Sequence, residues 1–326
     1  MPASAQAADL HSKKEDTGDV LMASPFLIIN PMKTATTLDQ QITKLKERGM
    51  CITDDVKAKE ILFDIGYYRL GFYWFPFEKG YPAKNNRKHR FIDGTSFDSA
   101  VLLYYFDNDL RNKLAPYLHR IEICFRTAII YIISNYYNEK PLWFVDSEVV
   151  NSSFIDAFEG TYKDIKKNEA IKRHHQKYPS DIFAPAWKTL EYMTFGGMLY
   201  LYQNLKNESL KRMIAQRFNI KNLGAFESYM KTIRIIRNVC AHGHNLYDIH
   251  FPQSIKVGEL KGLDSRQRNN ISGGLIVIEL ILSAISGNRS RDFHSDIETL
   301  LAKPEFAPVR KIISHISLTP AKVYSD

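Results

Sequence analysis

The sequence predicts an all-α fold. Apolar residues recur at three- and four-residue steps through most of the chain, no stretch sustains strand alternation, and capping residues and glycines punctuate the apolar runs. A chain of 326 residues is long enough to bury a full core. Its 44% apolar and 12% aromatic content, with 18 Tyr and 19 Phe, is that of a folded globule.

Residues 1–35 mix Ala, Ser, Lys and Asp without periodicity and include Pro25 and Pro31, which predicts a flexible N-terminal arm. An N-terminal helical module with a basic loop is expected over 36–95. Its first helix starts at Thr37, at capping-box spacing from Gln40, presents Leu38, Ile42 and Leu45, and ends near Gly49. Thr53 is the expected cap of a second helix, with Asp54 and Asp55 in its first turn and Ile61, Leu62 and Ile65 inward. The aromatic segment Gly66–Phe75 follows. Residues 78–95 then carry Arg87, Lys88 and Arg90 among Gly, Pro and Asn, and this loop either touches phosphates or is simply solvated.

A helical domain is expected over 96–326. From Phe97 to about Tyr137, Val101, Tyr105, Leu110, Leu114, Leu118, Ile121, Phe125 and Ile129 keep helical spacing, and Pro116 is expected to kink or divide the stretch. A second basic stretch lies between about 150 and 180. Its adjacent His174 and His175 do not make a metal site, since helix neighbours point apart and no Cys lies near. Further helices are expected at about 184–205, 208–218, 223–242, 264–286, 294–302 and 306–316. The longest apolar run, Gly274 to Ile285, is too short to span a bilayer and holds Glu279, so it reads as a buried helix or a subunit contact.

A formal charge of +8 and a pI near 9.1 favour polyanionic partners, RNA above all. Cys51, Cys124 and Cys240 are odd in number and widely spaced, which argues against disulfides and zinc and for a reducing compartment. Met1 to Lys14 lacks the apolar stretch of a secretory signal, so a cytoplasmic location without a membrane partner is expected. Phosphate-binding glycine loops, nucleophile elbows and paired-cysteine metal sites are missing from the sequence, and no cofactor or metal is expected.

The chemistry concentrates in Phe226–His244, FESYMKTIRIIRNVCAHGH. Tyr229, Met230, Ile233, Ile236 and Cys240 mark a buried helical face, and Gly243 is a natural stop. Asn238 and His242 share a face, whereas five residues separate Arg237 from His242, about 140° around a helix. They converge only if the helix opens at Gly243 or a second copy supplies the partner. An imidazole that exchanges protons near neutral pH and a guanidinium that stabilises phosphorane charge suit cleavage of RNA through its own 2′-hydroxyl. Spacing alone does not select this pair: Arg precedes His by five to seven residues at Arg237/His242, Arg237/His244, Arg289/His294 and Arg310/His315. Cations at a helix C-terminus are also favoured by the dipole, without any catalytic role.

RNVCAHGHNLY resembles the signature of the Abi-like (AbiD/AbiF-type) abortive-infection proteins, whose R-N-x-x-x-H segment belongs to the HEPN superfamily of helical, metal-independent ribonucleases. Three other segments fit in order: IGYYRLGFYWFPF at 65–77, FDSAVLLYYFDNDLRNKLAPYLHRIEICFR at 97–126 and WKTLEYMTFGGMLYLYQNL at 187–205. The resemblance spans about 36–250. It implies a HEPN-like helical bundle with an N-terminal helical extension, Arg237 and His242 as the catalytic pair and Asn238 as their polar support. Tyr67, Tyr68 and Arg69 match a family motif, and aromatics beside an Arg suit base stacking. Glu122 and Arg126 match E-x-x-x-R, a spacing that an intrahelical salt bridge explains equally well.

The resulting expectation is a phage-defence endoribonuclease, active as a homodimer and held in check by an RNA or protein antitoxin. The basic loops and His244 are expected to contribute to RNA contact. A non-catalytic RNA-binding module is the alternative, and an interaction protein using the 274–285 helix a third reading.

Overall fold

The computed structural model describes residues 34–320. Among the described residues are thirteen α-helices and three isolated bridges, without a sheet. The arm expected over 1–35 lies outside the described residues except for its last two.

α1 (Leu38–Glu47) and α2 (Asp55–Ile65) form a pair, followed directly by the aromatic α3 (Tyr67–Trp74). The cap of α2 is Asp54, not Thr53: its carboxylate accepts a hydrogen bond from the Lys57 N–H, satisfying an orphan donor of the first turn. Ile42, Leu45, Leu62, Leu70 and Trp74 close a small core with Phe97, Ala100 and Val101 from the start of the next helix.

That helix, α4 (Phe97–Tyr136), runs 40 residues, about 60 Å at 1.5 Å per residue. Ser96 caps it through the Ser99 N–H. Pro116 does not divide it. Proline removes a single donor, and Leu110, Leu114, Leu118 and Ile121 on either side are buried to 1% or less, so packing holds the helix together across the gap.

α5 (Ser152–Ile165), α6 (Glu169–Lys177), α7 (Ala186–Thr189), α8 (Phe195–Asn204), α9 (Glu208–Gln216), α10 (Leu223–His242), α11 (Ile271–Ile285), α12 (Gly287–Ala302) and α13 (Arg310–Ile313) share one core with α4, α7 to α12 packing on it directly, α5 on α8 and α6 on α7. The single helix expected over 184–205 is two: the chain extends at Met193, and Thr194 restarts it by capping the Gly197 N–H. No α-helix starts at 264: a 3-10 turn over Gln267–Asn269 precedes Asn270, which caps α11 through the Ser272 N–H. α12 begins at Gly287, earlier than expected, and the helix expected over 306–316 shrinks to α13 after a 3-10 turn containing Pro304 and Pro308.

α11 is the innermost helix, with ten of its fifteen residues buried. Gly274 lets it approach α10: a Cβ there would sit 2.5 Å from Ile236 Cδ1. The apolar run 274–285 is thus largely spent inside the chain, with Ser283 exposed and Glu279, Leu280, Ala284 and Ile285 half-buried at its end. Among the described residues no helix is long and apolar enough to cross a membrane.

Candidate functional site

α10 ends the arrangement that carries the site. Asn222 caps its start through the Ala225 N–H, and Phe226, Tyr229, Met230, Ile233 and Ile236 bury one face. Arg237, Asn238 and His242 lie toward the outside of the last two turns, Asn238 and His242 exposed and Arg237 with 35% of its side chain accessible. Gly243 terminates the helix in the left-handed region, φ +64°, and the His244 N–H returns to the Val239 carbonyl.

Two arginines clamp this C-terminus, where the dipole is negative and carbonyls are orphaned. Arg69 Nη1 donates to the Gly243 carbonyl at 2.7 Å, and Arg111 Nη1 to the His244 carbonyl at 3.0 Å. The chain beyond is fastened by Asp107, whose carboxylate accepts from the Leu246 N–H at 3.0 Å, the Tyr247 N–H at 2.7 Å, the Tyr73 hydroxyl at 2.8 Å and the Arg111 guanidinium. Burial pushes the Asp107 carboxyl up from its ordinary pKa, against the downward pull of these donors. The same burial, beside the Asp107 charge, raises the Tyr73 hydroxyl well above the usual tyrosine range, so it stays a donor.

Arg237 is oriented from behind. Its Nε donates to Glu122 Oε2 at 3.1 Å, while Glu122 Oε1 accepts from Arg126 Nη2, also at 3.1 Å. Arg126 is itself held by the Met193 carbonyl at 2.9 Å. Glu122, only 5% exposed, therefore bridges two arginines from different helices, and E-x-x-x-R is more than a local salt bridge. Arg237 Nη1 reaches Asn238 Oδ1 at 3.4 Å.

His242 faces solvent beside His244, ring centroids 6.1 Å apart. No hydrogen bond joins Arg237 to His242 among the described residues, and α10 stays helical through His242. The opening at Gly243 comes too late to rotate His242 toward Arg237.

The other sequence candidates separate into two groups. Tyr68 and Arg69 are exposed, and α3 brings them against Gly243, His244 and Asn245 across a separation of more than 170 residues. Tyr67 turns inward, accepting from Arg48 and packing on Trp74 at 4.9 Å, and burial raises its hydroxyl pKa. Arg87 grips the buried Glu78 through two nitrogens and lies over the Phe75 ring at 4.2 Å, and Arg90 donates to the Glu47 carbonyl. Burial pushes the Glu78 carboxyl up, but Arg87 and His89 outweigh it and hold its pKa below the ordinary value. The basic loop is thus folded on its own carboxylate, with Lys88 exposed on its surface. In the second basic stretch His174 pairs with Asp181 and His175 with the Tyr162 hydroxyl. No His, Cys, Asp and Glu cluster suited to a metal occurs among the described residues.

Sequence reasoning missed Asp107, Arg111 and Phe72. The first two had a signal: Asp107 sits on the apolar face that also carries Leu103, Phe106, Leu110 and Leu114, four residues before an Arg, the pattern of a buried polar anchor.

A family model described as Abi-like protein matches residues 60–248, more than half of the chain, from α2 through the Asp107 anchor to the segment following α10. No curated protein and no solved structure matches.

Proposed function

We propose that this chain, which belongs to the Abi-like protein family, is an abortive-infection defence protein acting as a metal-independent endoribonuclease. Membership of the family suggests the defence role. The nuclease reading rests on one observation: an exposed imidazole and a partly exposed, pre-oriented guanidinium occupy the closing turns of an otherwise buried helix.

In this reaction His242 takes the proton of a ribose 2′-hydroxyl, and the freed oxygen attacks the adjacent phosphorus. The bond to the 5′-oxygen breaks, that oxygen takes a proton from water, a 2′,3′-cyclic phosphate remains, and His242 returns its proton to solvent. Arg237, fixed by Glu122 and Asn238, stabilises the charge that builds on the non-bridging oxygens. Because about 140° of helix separates the two groups within one chain, the site is composite. A second protomer, related by a two-fold axis, sets its His242 opposite this Arg237. The exposed Tyr68, Arg69, Lys88 and His244 extend the RNA contact, and an RNA or protein antitoxin restrains the activity in the cell.

The test is cleavage by the purified protein with and without EDTA, with end-group analysis. His242→Ala and Arg237→Ala are each expected to lose about 10²- to 10⁴-fold, the size of a general acid–base or charge-stabilising contribution. Mixing the two variants is expected to restore part of the activity through hybrid dimers. If His242→Ala cuts as fast as the parent, or the parent only retards RNA in a gel, the nuclease assignment is wrong.

A further inference from the structure

Beside the proposed reaction centre lies a cleft of about 280 Å³ that the cleavage chemistry does not use. One wall is Tyr68, Arg69 and Phe72 of α3, and the other is Gly243, His244 and Asn245, immediately after His242. Tyr73, 1% exposed and anchored on Asp107, forms the floor.

Tyr68 and Phe72 are 83% and 43% exposed, one helical turn apart, with ring centroids at 5.5 Å and planes at 84°. Because the two rings meet edge to face, Tyr68 keeps a free face toward solvent beside the cleft, the kind of surface on which an unpaired base stacks. The walls are also rigidly joined, because Arg69 Nη1 holds the Gly243 carbonyl at 2.7 Å and the Tyr247 hydroxyl donates to the Phe72 carbonyl at 2.9 Å. The opening therefore keeps a fixed distance from His242. Clefts for drug-sized ligands start at about 300 Å³, so this one suits a single planar heterocycle rather than a helical segment. Arg69 at the rim and the chain's charge of +8 favour an anionic backbone beside that heterocycle.

We propose that this cleft is a base-stacking subsite, in which Tyr68 and Phe72 hold one unpaired nucleobase of a single-stranded RNA next to the phosphate presented to His242. Asn245 and His244 supply polar contacts to the base edge, and Arg69 to the sugar–phosphate. A base inside a duplex cannot enter without leaving its stack, so the subsite selects unpaired RNA. The inference rests on the nuclease reading for its neighbour but concerns binding, which is measurable without cleavage.

The experiment uses the full chain carrying His242→Ala, so that RNA stays intact, with and without Tyr68→Ala and Phe72→Ala. Fluorescence anisotropy follows a labelled single-stranded oligoribonucleotide, its abasic counterpart and a duplex of the same length. The double substitution is expected to weaken single-strand binding by roughly ten-fold or more, the scale of one stacking contact. It is expected to leave abasic and duplex affinities unchanged, and Tyr68→Phe to keep near-parental affinity. The substituted rings are exposed, and unaltered circular dichroism excludes unfolding as the cause. If the double variant binds the intact strand within two-fold of its parent, or weakens the abasic strand equally, the subsite is refuted while the nuclease reading stands. If the His242→Ala protein binds no single-stranded RNA at all, both fall.

Discussion

Replacing Glu122 by Gln removes one charge and leaves the shape of the site unchanged. Its two oxygens each accept one arginine N–H at 3.1 Å, from Arg126 and from Arg237, whose side chains are 11% and 35% accessible. Hydrogen bonds to charged groups contribute about 1.5–3 kcal/mol each, the upper figure for the shielded Arg126 and the lower for the more exposed Arg237. The amide keeps one acceptor and loses the charge, so a net loss of about 2–3 kcal/mol is expected. Removing the side chain in Glu122→Ala raises the loss to about 3–5 kcal/mol by stranding a shielded guanidinium. For a chain of 326 residues each kcal/mol moves Tm by about 1.5 °C, giving a fall of about 3–5 °C for Glu122→Gln. Glu191→Gln is the control: it meets Arg126 only at 3.8 Å and is 56% accessible, so it is expected to cost less than about 1 kcal/mol. Thermal and urea unfolding measure both variants, and RNA cleavage is expected to fall in Glu122→Gln alone, because Arg237 loses its fixed orientation. Equal Tm values for the two variants would refute the view that the Glu122 carboxylate holds the two arginines in place.

Asp107→Asn leaves the 5%-exposed Arg111 without its counter-charge and is expected to cost about 3–5 kcal/mol, with faster hydrogen exchange at the Leu246 and Tyr247 amides; unchanged protection there would contradict the anchor. Gly243→Ala puts an L side chain at φ +64°, costing about 1–2 kcal/mol, and its Cβ would lie 3.3 Å from Arg69 Nη1. The expected outcome is a lower Tm together with weaker cleavage, and a Tm equal to the parent's would argue against a left-handed cap in solution. Burial pushes the Cys240 thiol up to about 12 and also raises Cys124, whereas Cys51 is exposed. Iodoacetamide at mild alkaline pH is therefore expected to modify Cys51 first and Cys240 only in urea, as peptide mass analysis would show; equal rates in the native protein would mean that α10 is not packed as described.

Much of this architecture is written in local sequence. Three- and four-residue apolar spacing placed α1, α2, α4, α9 and α10, because a helix needs nothing beyond its own periodicity and a core to face. Gly243 marked the end of α10 because only glycine enters the left-handed region without cost. Arg237, Asn238 and His242 stood out for the same reason, as polar groups closing an apolar run. Local signals failed where competing groups were close in strength. Asp54 displaced Thr53 as a cap, and tertiary burial on both sides carried α4 through Pro116.

What the sequence could not determine is which distant groups meet. Arg69 and Gly243 are 174 positions apart, Glu122 and Arg237 are 115, and Asp107 and Leu246 are 139, and no periodicity encodes such contacts. They arise because α3 and α10 both pack against α4, so a motif of exposed aromatics, a buried carboxylate and a helix end come to one place. The folded chain also decided that Tyr67 and Arg87 hold the protein together while Tyr68 faces outward: neighbours in sequence point to different sides of a helix or loop, and only packing says which side is covered.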